Sequence, residues 1–254
     1  MRCRFLVVTL LLAAAWAHSE AIADGAGQSC IEAAEAYDAG DFEKAGELYQ
    51  SVLASGLDAA AVHYNLGNAL FKQGQLGPAI ASYLRAARID PRNPKIRTNL
   101  RRARAQIKDV DLSGEDLPPV LRPFQWGYAH FSANEWLTLA LVLWILLGGL
   151  HILNQWRPLK PSKLRPVSGA LVVMALAAFG VGGLHYYRDF VVERGVVVVE
   201  EVDVRSGPGS SYNLAFRVHE GLPVRVAEDR GDWLRIDLGG ELVGWVPASS
   251  LEAI

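Results

Sequence analysis

Six histidines are the first residues to test for chemistry: His18, His63, His130, His151, His185 and His219. No two of them stand in the His-Glu-x-x-His spacing that would place two imidazoles and a general base on one helix face. Cys3 and Cys30 match no zinc-ligand spacing, and two cysteines cannot build a disulfide framework. Cys30 is expected to be a single packed thiol. No Gly-x-Ser-x-Gly elbow exposes a serine nucleophile. Gly207-Pro208-Gly209 is rich in glycine, as phosphate loops are. It lacks the Gly-Lys-Ser/Thr ending and the following helix, so it reads as a turn. The expectation is a protein that is not an enzyme, with no cofactor, no metal and no small-molecule substrate. Its sites should be surfaces. Arg101, Arg102 and Arg104 supply one such surface, either a solvated basic face or a cradle for an acidic segment.

Composition narrows the partners. The 254 residues include 25 basic and 27 acidic, so 25 − 27 gives a net charge of −2. That balance removes the electrostatic case for nucleic acid. An apolar share of 51% with 20% charged residues excludes a disordered chain. The mean hydropathy of +0.15 is high for a soluble protein and points to membrane segments.

Residues 1–23 read as a secretory signal. Arg2 and Arg4 precede the apolar run Phe5–Ala17, which is too short to span a bilayer comfortably. Small-x-small sites at Ala15-Trp16-Ala17 and Ala21-Ile22-Ala23 favour cleavage before Asp24, which would remove Cys3. An uncleaved anchor is the alternative, and it leaves the next domain on the same side. Two later stretches, 136–156 and 166–187, hold no Asp, Glu, Lys or Arg. Each is long enough for a helix across the hydrocarbon core. Ser132-Ala133-Asn134-Glu135 has capping-box spacing ahead of the first. Trp136, Trp156, Tyr186 and Tyr187 stand where an aromatic belt would be. The connection 157–165 carries Arg157, Lys160, Lys163 and Arg165 and no acid, which places it in the cytoplasm by the positive-inside rule. Both flanking domains then face outward, into the periplasm if the membrane is a bacterial inner membrane. Neither stretch holds a charged residue at mid-depth, so both read as anchors. Ala178-x-x-x-Gly182 is a spacing that lets two such helices approach closely.

The segment 24–111 repeats itself. Gly40 meets Gly74, Ala45 meets Ala79 and Tyr49 meets Tyr83 at a period of thirty-four residues. The second copy, 60–93, reads His63-Tyr64-Asn65-Leu66-Gly67-Asn68-Ala69-Leu70, then Gly74, Ala79, Tyr83, Ala86 and Pro91. Small residues at Gly67, Ala79 and Ala86 let antiparallel helices approach, while Leu66, Leu70 and Tyr83 fill between them. Asp90-Pro91 stops the second helix. This copy resembles the tetratricopeptide repeat closely. The first copy, 26–59, keeps Ala33, Gly40, Ala45 and Tyr49, but has Glu32 at an apolar position and no closing proline. A polar helix over 94–108 suits a solenoid cap. The resemblance implies an all-α solenoid with a peptide groove lined by the first helix of each repeat. By position, Tyr64, Asn65, Asn68, Phe71 and Lys72 line it, and Lys95, Asn99 and Arg102 extend it. Asn68, Lys95 and Asn99 are similar to part of the family's carboxylate clamp, whereas Cys30 and Ala34 stand where that clamp uses polar groups. The linker 112–135 holds Pro118, Pro119 and Pro123 and then Phe124, Trp126, Tyr128 and Phe131. These aromatics fit the headgroup layer or the underside of the repeats equally.

From 193 to 254 the pattern becomes short β runs between turns: Gly195–Val199, Leu222–Ala227, the alternating Trp233–Asp237, and Leu242–Val246 after Gly239-Gly240. Five short strands in this length suggest a small all-β barrel. Val204-Arg205-Ser206-Gly207-Pro208-Gly209, Gly221, Gly231-Asp232-Trp233 and Gly244-Trp245-Val246-Pro247 resemble the bacterial SH3 domain. Trp233 and Trp245 fit its core. Since some members bind peptidoglycan or peptides, an aromatic groove at Tyr212, Trp233 and Trp245 is the second candidate surface.

The order of signal, tetratricopeptide repeats, two transmembrane helices and bacterial SH3 domain looks like the BatE-type family of the bacterial aerotolerance operons. That resemblance implies a multidomain membrane protein of the inner membrane. Its partners would be von Willebrand-type Bat proteins and a MoxR-type ATPase, in a stress-tolerance complex. The expected role is a periplasmic scaffold for protein partners. The alternative is a peptidoglycan-binding module that positions a cell-wall enzyme.

Overall fold

The computed structural model describes residues 27–109, 131–156, 161–187, 193–240 and 242–254. The expected leader, the spacer prolines Pro118, Pro119 and Pro123, the aromatics Phe124, Trp126 and Tyr128, and the basic residues Arg157 and Lys160 lie outside the described residues.

Five helices form the N-terminal region: α1 (27–38), α2 (Phe42–Ala54), α3 (Ala60–Lys72), α4 (Leu76–Ile89) and α5 (Pro94–Arg104). The two hairpins α1–α2 and α3–α4 turn alike, at Gly40 with φ 83° and Gly74 with φ 81°, a conformation that costs other residues a Cβ clash. Asp41 caps α2 by accepting the Lys44 N–H at 3.2 Å. Asn93 caps α5 by accepting from the Lys95 N–H, and α5 ends at Arg104, short of the expected 108. Small residues let α3 and α4 meet. A Cβ on Gly67 would lie 2.7 Å from the buried Tyr83 ring. Ala45, Tyr49, Leu66, Leu70, Ala79, Ile80 and Tyr83 share one apolar core with their neighbours.

Two helices long and apolar enough to cross a membrane follow, α6 (Ala133–Trp156) and α7 (Pro161–Tyr186). Both begin before the charge-free stretches, because polar and charged residues can continue a helix at its N-terminal end. Ser132 and Glu135 form the reciprocal cap of α6: Glu135 accepts from the Ser132 N–H at 2.9 Å, and the Glu135 N–H donates to Ser132 Oγ at 3.4 Å. Ala140 and Leu143 of α6 and Ala175 and Ala178 of α7 are buried. A Cβ on Gly182 would lie 3.0 Å from Leu137. Small residues thus set the closeness of this pair.

The C-terminal region is a seven-stranded antiparallel sheet of the order β3-β2-β6-β5-β4-β1-β7. The strands are β1 (Arg194–Val197), β2 (Glu201–Arg205), β3 (Leu214–His219), β4 (Pro223–Asp229), β5 (Trp233–Asp237), β6 (Val243–Pro247) and β7 (Leu251–Ala253). The sequence pattern suggests five; the structure has seven, the shortest being the three-residue β7 at the C-terminal end. Register shifts at Val204/Arg205 and Val226/Glu228 bend the strands. The sheet therefore curls, and Val197, Val202, Val204, Val218, Val224, Ile236 and Val246 from six strands enter one core. Gly207-Pro208-Gly209 lies in the β2–β3 turn.

The two regions dock. Helix α4 lies against β1 and β7. Gly77 approaches so closely that a Cβ there would sit 2.4 Å from the Val197 carbonyl oxygen, while its N–H donates to Glu220 Oε1 at 2.8 Å. Val196 of β1 belongs to the solenoid core, and Ile80 and Ile107 cover Gly221. Polar clasps surround this patch. Arg85 pairs with Glu252 at 2.7 Å and also reaches the Ala253 carbonyl. Asp109 accepts from the His219 N–H at 2.6 Å and meets its Nδ1 at 2.8 Å.

Candidate functional site

The surface of interest begins with three side chains on α3 and α5. Tyr64 and Asn68 are one helical turn apart on α3, and Asn99 faces them from α5. Asn99 Nδ2 donates to the Tyr64 hydroxyl at 3.1 Å and to Asn68 Oδ1 at 2.8 Å. Asn68 Oδ1 also accepts from the Tyr83 hydroxyl at 2.8 Å. This ladder uses both hydrogens of the Asn99 amide and both lone pairs of the Asn68 carbonyl. Asn68 Nδ2 and Asn99 Oδ1 have no partner among the described residues. One amide donor and one acceptor of the ladder thus remain unused, groups that an extended peptide backbone can bond.

The ladder is held from behind. Burial pushes the Tyr83 hydroxyl well above its ordinary value near 10, and the neighbouring Tyr64 and Tyr37 add to the shift. Tyr83 is therefore a neutral donor throughout the physiological range. Burial, with Tyr64 and Asp38 nearby, raises Tyr37 in the same direction. The rings of Tyr64 and Tyr83 sit 6.1 Å apart, tilted by 46°.

The other sequence-predicted residues are placed differently. Lys72 stands at the rim with its Nζ 5.9 Å from the centre of the Phe42 ring, which itself packs edge-on to Tyr37 at 5.1 Å. Lys95 and Arg102 are exposed on the α5 face that carries Asn99, at the spacing i, i+4, i+7. Asn65 lies by Tyr49 of α2, where its amide offsets part of the rise that burial gives the Tyr49 hydroxyl. Phe71 is half-buried against the solenoid core. Tyr83 is the ladder member that sequence reasoning assigned to core filling alone. Its signal was the hydroxyl itself, because a buried tyrosine needs an acceptor.

On the sheet, Tyr212, Trp233 and Trp245 differ in exposure and surroundings. Trp233 lines an open depression of about 480 Å³ with Glu201, Asp203, Arg205, Ser210 and Pro247. Its charges are paired: Arg217 bridges Glu201 at 2.8 Å and Asp203 at 2.9 Å. Tyr212 is exposed and lies over Gly207, where a Cβ would meet its ring at 2.4 Å. Trp245 is buried, and the Arg230 guanidinium covers its ring at 4.9 Å. Cys30 is half-buried against the solenoid core. Among the described residues, no three His, Cys, Asp or Glu side chains gather to hold a metal.

Comparisons with known proteins agree with this division. Residues 32–94 match the tetratricopeptide repeat family, and residues 198–252 match the bacterial SH3 domain family. The chain thus contains both modules. A Bacillus subtilis (strain 168) protein, YrvJ, whose assigned name is that of an N-acetylmuramoyl-L-alanine amidase, is 41% identical over 51 residues, 20% of this chain. The chain spans only 10% of that relative's length. Among solved structures, it is similar to the Yersinia enterocolitica type III secretion chaperone SycD in complex with a peptide of the translocator YopD. That likeness has 18% identity, covers 61% of this chain and 92% of that one, and has a TM-score of 0.31.

Proposed function

We propose that this protein is a non-enzymatic scaffold anchored in the bacterial inner membrane, which presents its repeat groove and SH3 domain in the periplasm to gather protein partners. The observation that carries the reading is the ladder of Tyr64, Asn99, Asn68 and Tyr83, with its unused amide donor and acceptor beside Lys72, Lys95 and Arg102. Such a surface suits an extended segment with acidic groups, held by backbone bonds and steered by the cationic rim. The docking of α4 on β1 supports the topology, because domains in contact must lie on one side of the membrane and two spans return the chain to that side. The basic connection supports placing that side outside the cytoplasm. The module order supports a Bat-type assembly with von Willebrand-domain membrane proteins and a MoxR-type ATPase.

The test is an in vivo crosslinking pull-down on the full-length protein. A rim variant, Lys72→Glu/Lys95→Glu/Arg102→Glu, leaves the ladder and its buried hydroxyl in place. Von Willebrand-domain membrane proteins captured by wild type and lost from the variant support the scaffold. Capture unchanged by the variant removes the groove from the reading.

A second reading is favoured by the 41% match to YrvJ, a protein named for a cell-wall enzyme. In it the depression at Trp233 grips peptidoglycan. Sedimentation of the detergent-solubilised protein with purified cell walls, reduced by Trp233→Ala and indifferent to the rim variant, supports that alternative.

A further inference from the structure

We propose that the α4–α5 turn is a second membrane contact, which rests on anionic phospholipid headgroups and holds the repeat–SH3 body against the bilayer. The proposal rests on the reading of α6 and α7 as membrane spans. It goes beyond the scaffold reading, since the groove ligand plays no part in it.

Three observations place this turn at the bilayer boundary. Arg92, in the turn, pairs with Glu135 in the first turn of α6. Its guanidinium also lies over the Phe131 ring at 5.3 Å, and Phe131 packs edge-on to Trp136 at 5.7 Å, where the first span begins. The turn therefore sits beside the residues that mark the water–lipid interface. Secondly, the exposed charge of the turn is basic. From 85 to 97 the single acid, Asp90, is bonded to the Asn93 amide, and Arg85 and Arg92 are answered by Glu252 and Glu135, so the charge offered to headgroups is that of Lys95 and Arg97. Lys95 and Arg97 are exposed. Thirdly, the turn exposes apolar surface among these charges: Ile89 is 40% exposed, and Pro94 beside it is exposed too. Exposed basic residues beside an apolar tip are the composition of an interfacial anchor. An acidic protein segment would account for the charge. It would not account for continuity with Glu135, Phe131 and Trp136, which favours lipid.

The test uses the full-length protein in nanodiscs, with Cys3→Ser/Cys30→Ser removing the native thiols. An environment-sensitive fluorophore is attached at Ile89→Cys or, as a remote control just past the C-terminal end of α5, at Gln106→Cys. Discs contain phosphatidylcholine alone or with a quarter phosphatidylglycerol, plus a lipid spin-labelled high on its acyl chain. The Ile89 probe should be quenched more than the Gln106 probe. Its docking equilibrium should rise roughly thirtyfold in the anionic discs, about fivefold for each of the two exposed basic residues. High salt and Lys95→Glu/Arg97→Glu should each abolish that rise. Equal quenching at the two positions, or equal quenching in the two lipids, overturns the proposal. A response of the Ile89 probe to soluble polyglutamate but not to phosphatidylglycerol overturns it too, and assigns the basic end to an acidic protein. Failure of the chain to enter nanodiscs overturns the membrane reading itself, whereas incorporation without quenching overturns this inference alone.

Discussion

Gly77→Ala is the sharpest probe of how the repeats and the SH3 domain are joined, because the sign of its effect differs between a docked and an undocked helix. In an isolated helix the change removes backbone entropy from the unfolded chain and stabilises by about 0.5–1 kcal/mol, less near a helix end. In the docked structure the new methyl lies 2.4 Å from the Val197 carbonyl oxygen and 2.9 Å from the Val198 Cα. Both are backbone atoms of the strand region and cannot rotate away. Overpacking of this kind costs about 1–3 kcal/mol. Relieving it moves α4 off β1 and lengthens the 2.8 Å bond from the Gly77 N–H to Glu220, worth roughly 1.5–3 kcal/mol as a bond to a charged group. The net expectation is a loss of about 3 kcal/mol at the interface, or roughly a hundredfold in the docking equilibrium. Hydrogen exchange of the detergent-solubilised full chain reads this directly. Amides in 76–80 and 194–198 should exchange roughly a hundredfold faster in the variant, while 42–54 keeps its wild-type rate. Unchanged or slower exchange in 76–80 would mean that α4 is free of the sheet, and the docking argument would fail. Gly221→Ala probes the same patch less cleanly, since φ of 89° strains any substitution there whatever it touches.

Gly67→Ala should lower the melting temperature of the repeats, because its methyl would meet the buried Tyr83 ring at 2.7 Å; the expected cost is about 1–3 kcal/mol, read by thermal unfolding. Asn68→Ala should cost about 1–3 kcal/mol by leaving the Tyr83 hydroxyl without its acceptor, and Asn68→Ala/Tyr83→Phe should recover part of that loss, since both polar ends are then removed. Alkaline titration should show stability constant below about pH 10 and falling above it. Tyr37, Tyr49 and Tyr83 are all raised in the folded state, chiefly by burial; the folded chain therefore holds its phenolic protons more tightly than the unfolded chain, and Tyr83→Phe should flatten the decline. Arg230→Ala should expose the Trp245 ring that the guanidinium covers, raising its accessibility to acrylamide while leaving the sheet folded.

The parts of this molecule that were legible in its sequence are those set by local period. Gly40 and Gly74, Ala45 and Ala79, and Tyr49 and Tyr83 announce the two hairpins because each hairpin needs the same turn and the same close approach. The departures in the first copy also have physical reasons. Glu32 is exposed and accepts a bond from the Gln28 amide one turn earlier, so the position asks for no apolar side chain. The missing proline is replaced by Gly56, whose φ of 95° stops α2 in its stead. The two long apolar helices were legible by the length of their charge-free stretches, and the Ser132–Glu135 cap by spacing. The groove residues were legible only as a helix face. Which of them bond one another depended on rotamers: Asn65 and Asn68 lie on the same helix, yet one turns to Tyr49 and the other to Asn99.

The docking of the two modules was not legible, and the reason bears on function. Gly77 and Glu220 are separated by 143 positions, and neither belongs to a motif of its own module. Val196 reads as one more strand valine, yet it completes the core of the solenoid rather than that of the sheet. A contact of this kind is specified by shape, with a small residue opposite a carbonyl and an apolar side chain opposite a gap, and no periodic pattern records it. Its consequence is mechanical. Joined through α4, β1 and β7, clasped by Arg85–Glu252 and Asp109–His219, and tied at the turn to Glu135 of α6, the two modules are not beads on a string. The groove on α3 and α5 and the depression at Trp233 are held at a fixed separation on one body. A partner that engages both gains the effective concentration of a rigid pair, and one whose two elements do not match that separation gains nothing. Gly77→Ala should therefore weaken capture of a two-site partner without touching either site, an effect that neither the rim variant nor Trp233→Ala can imitate.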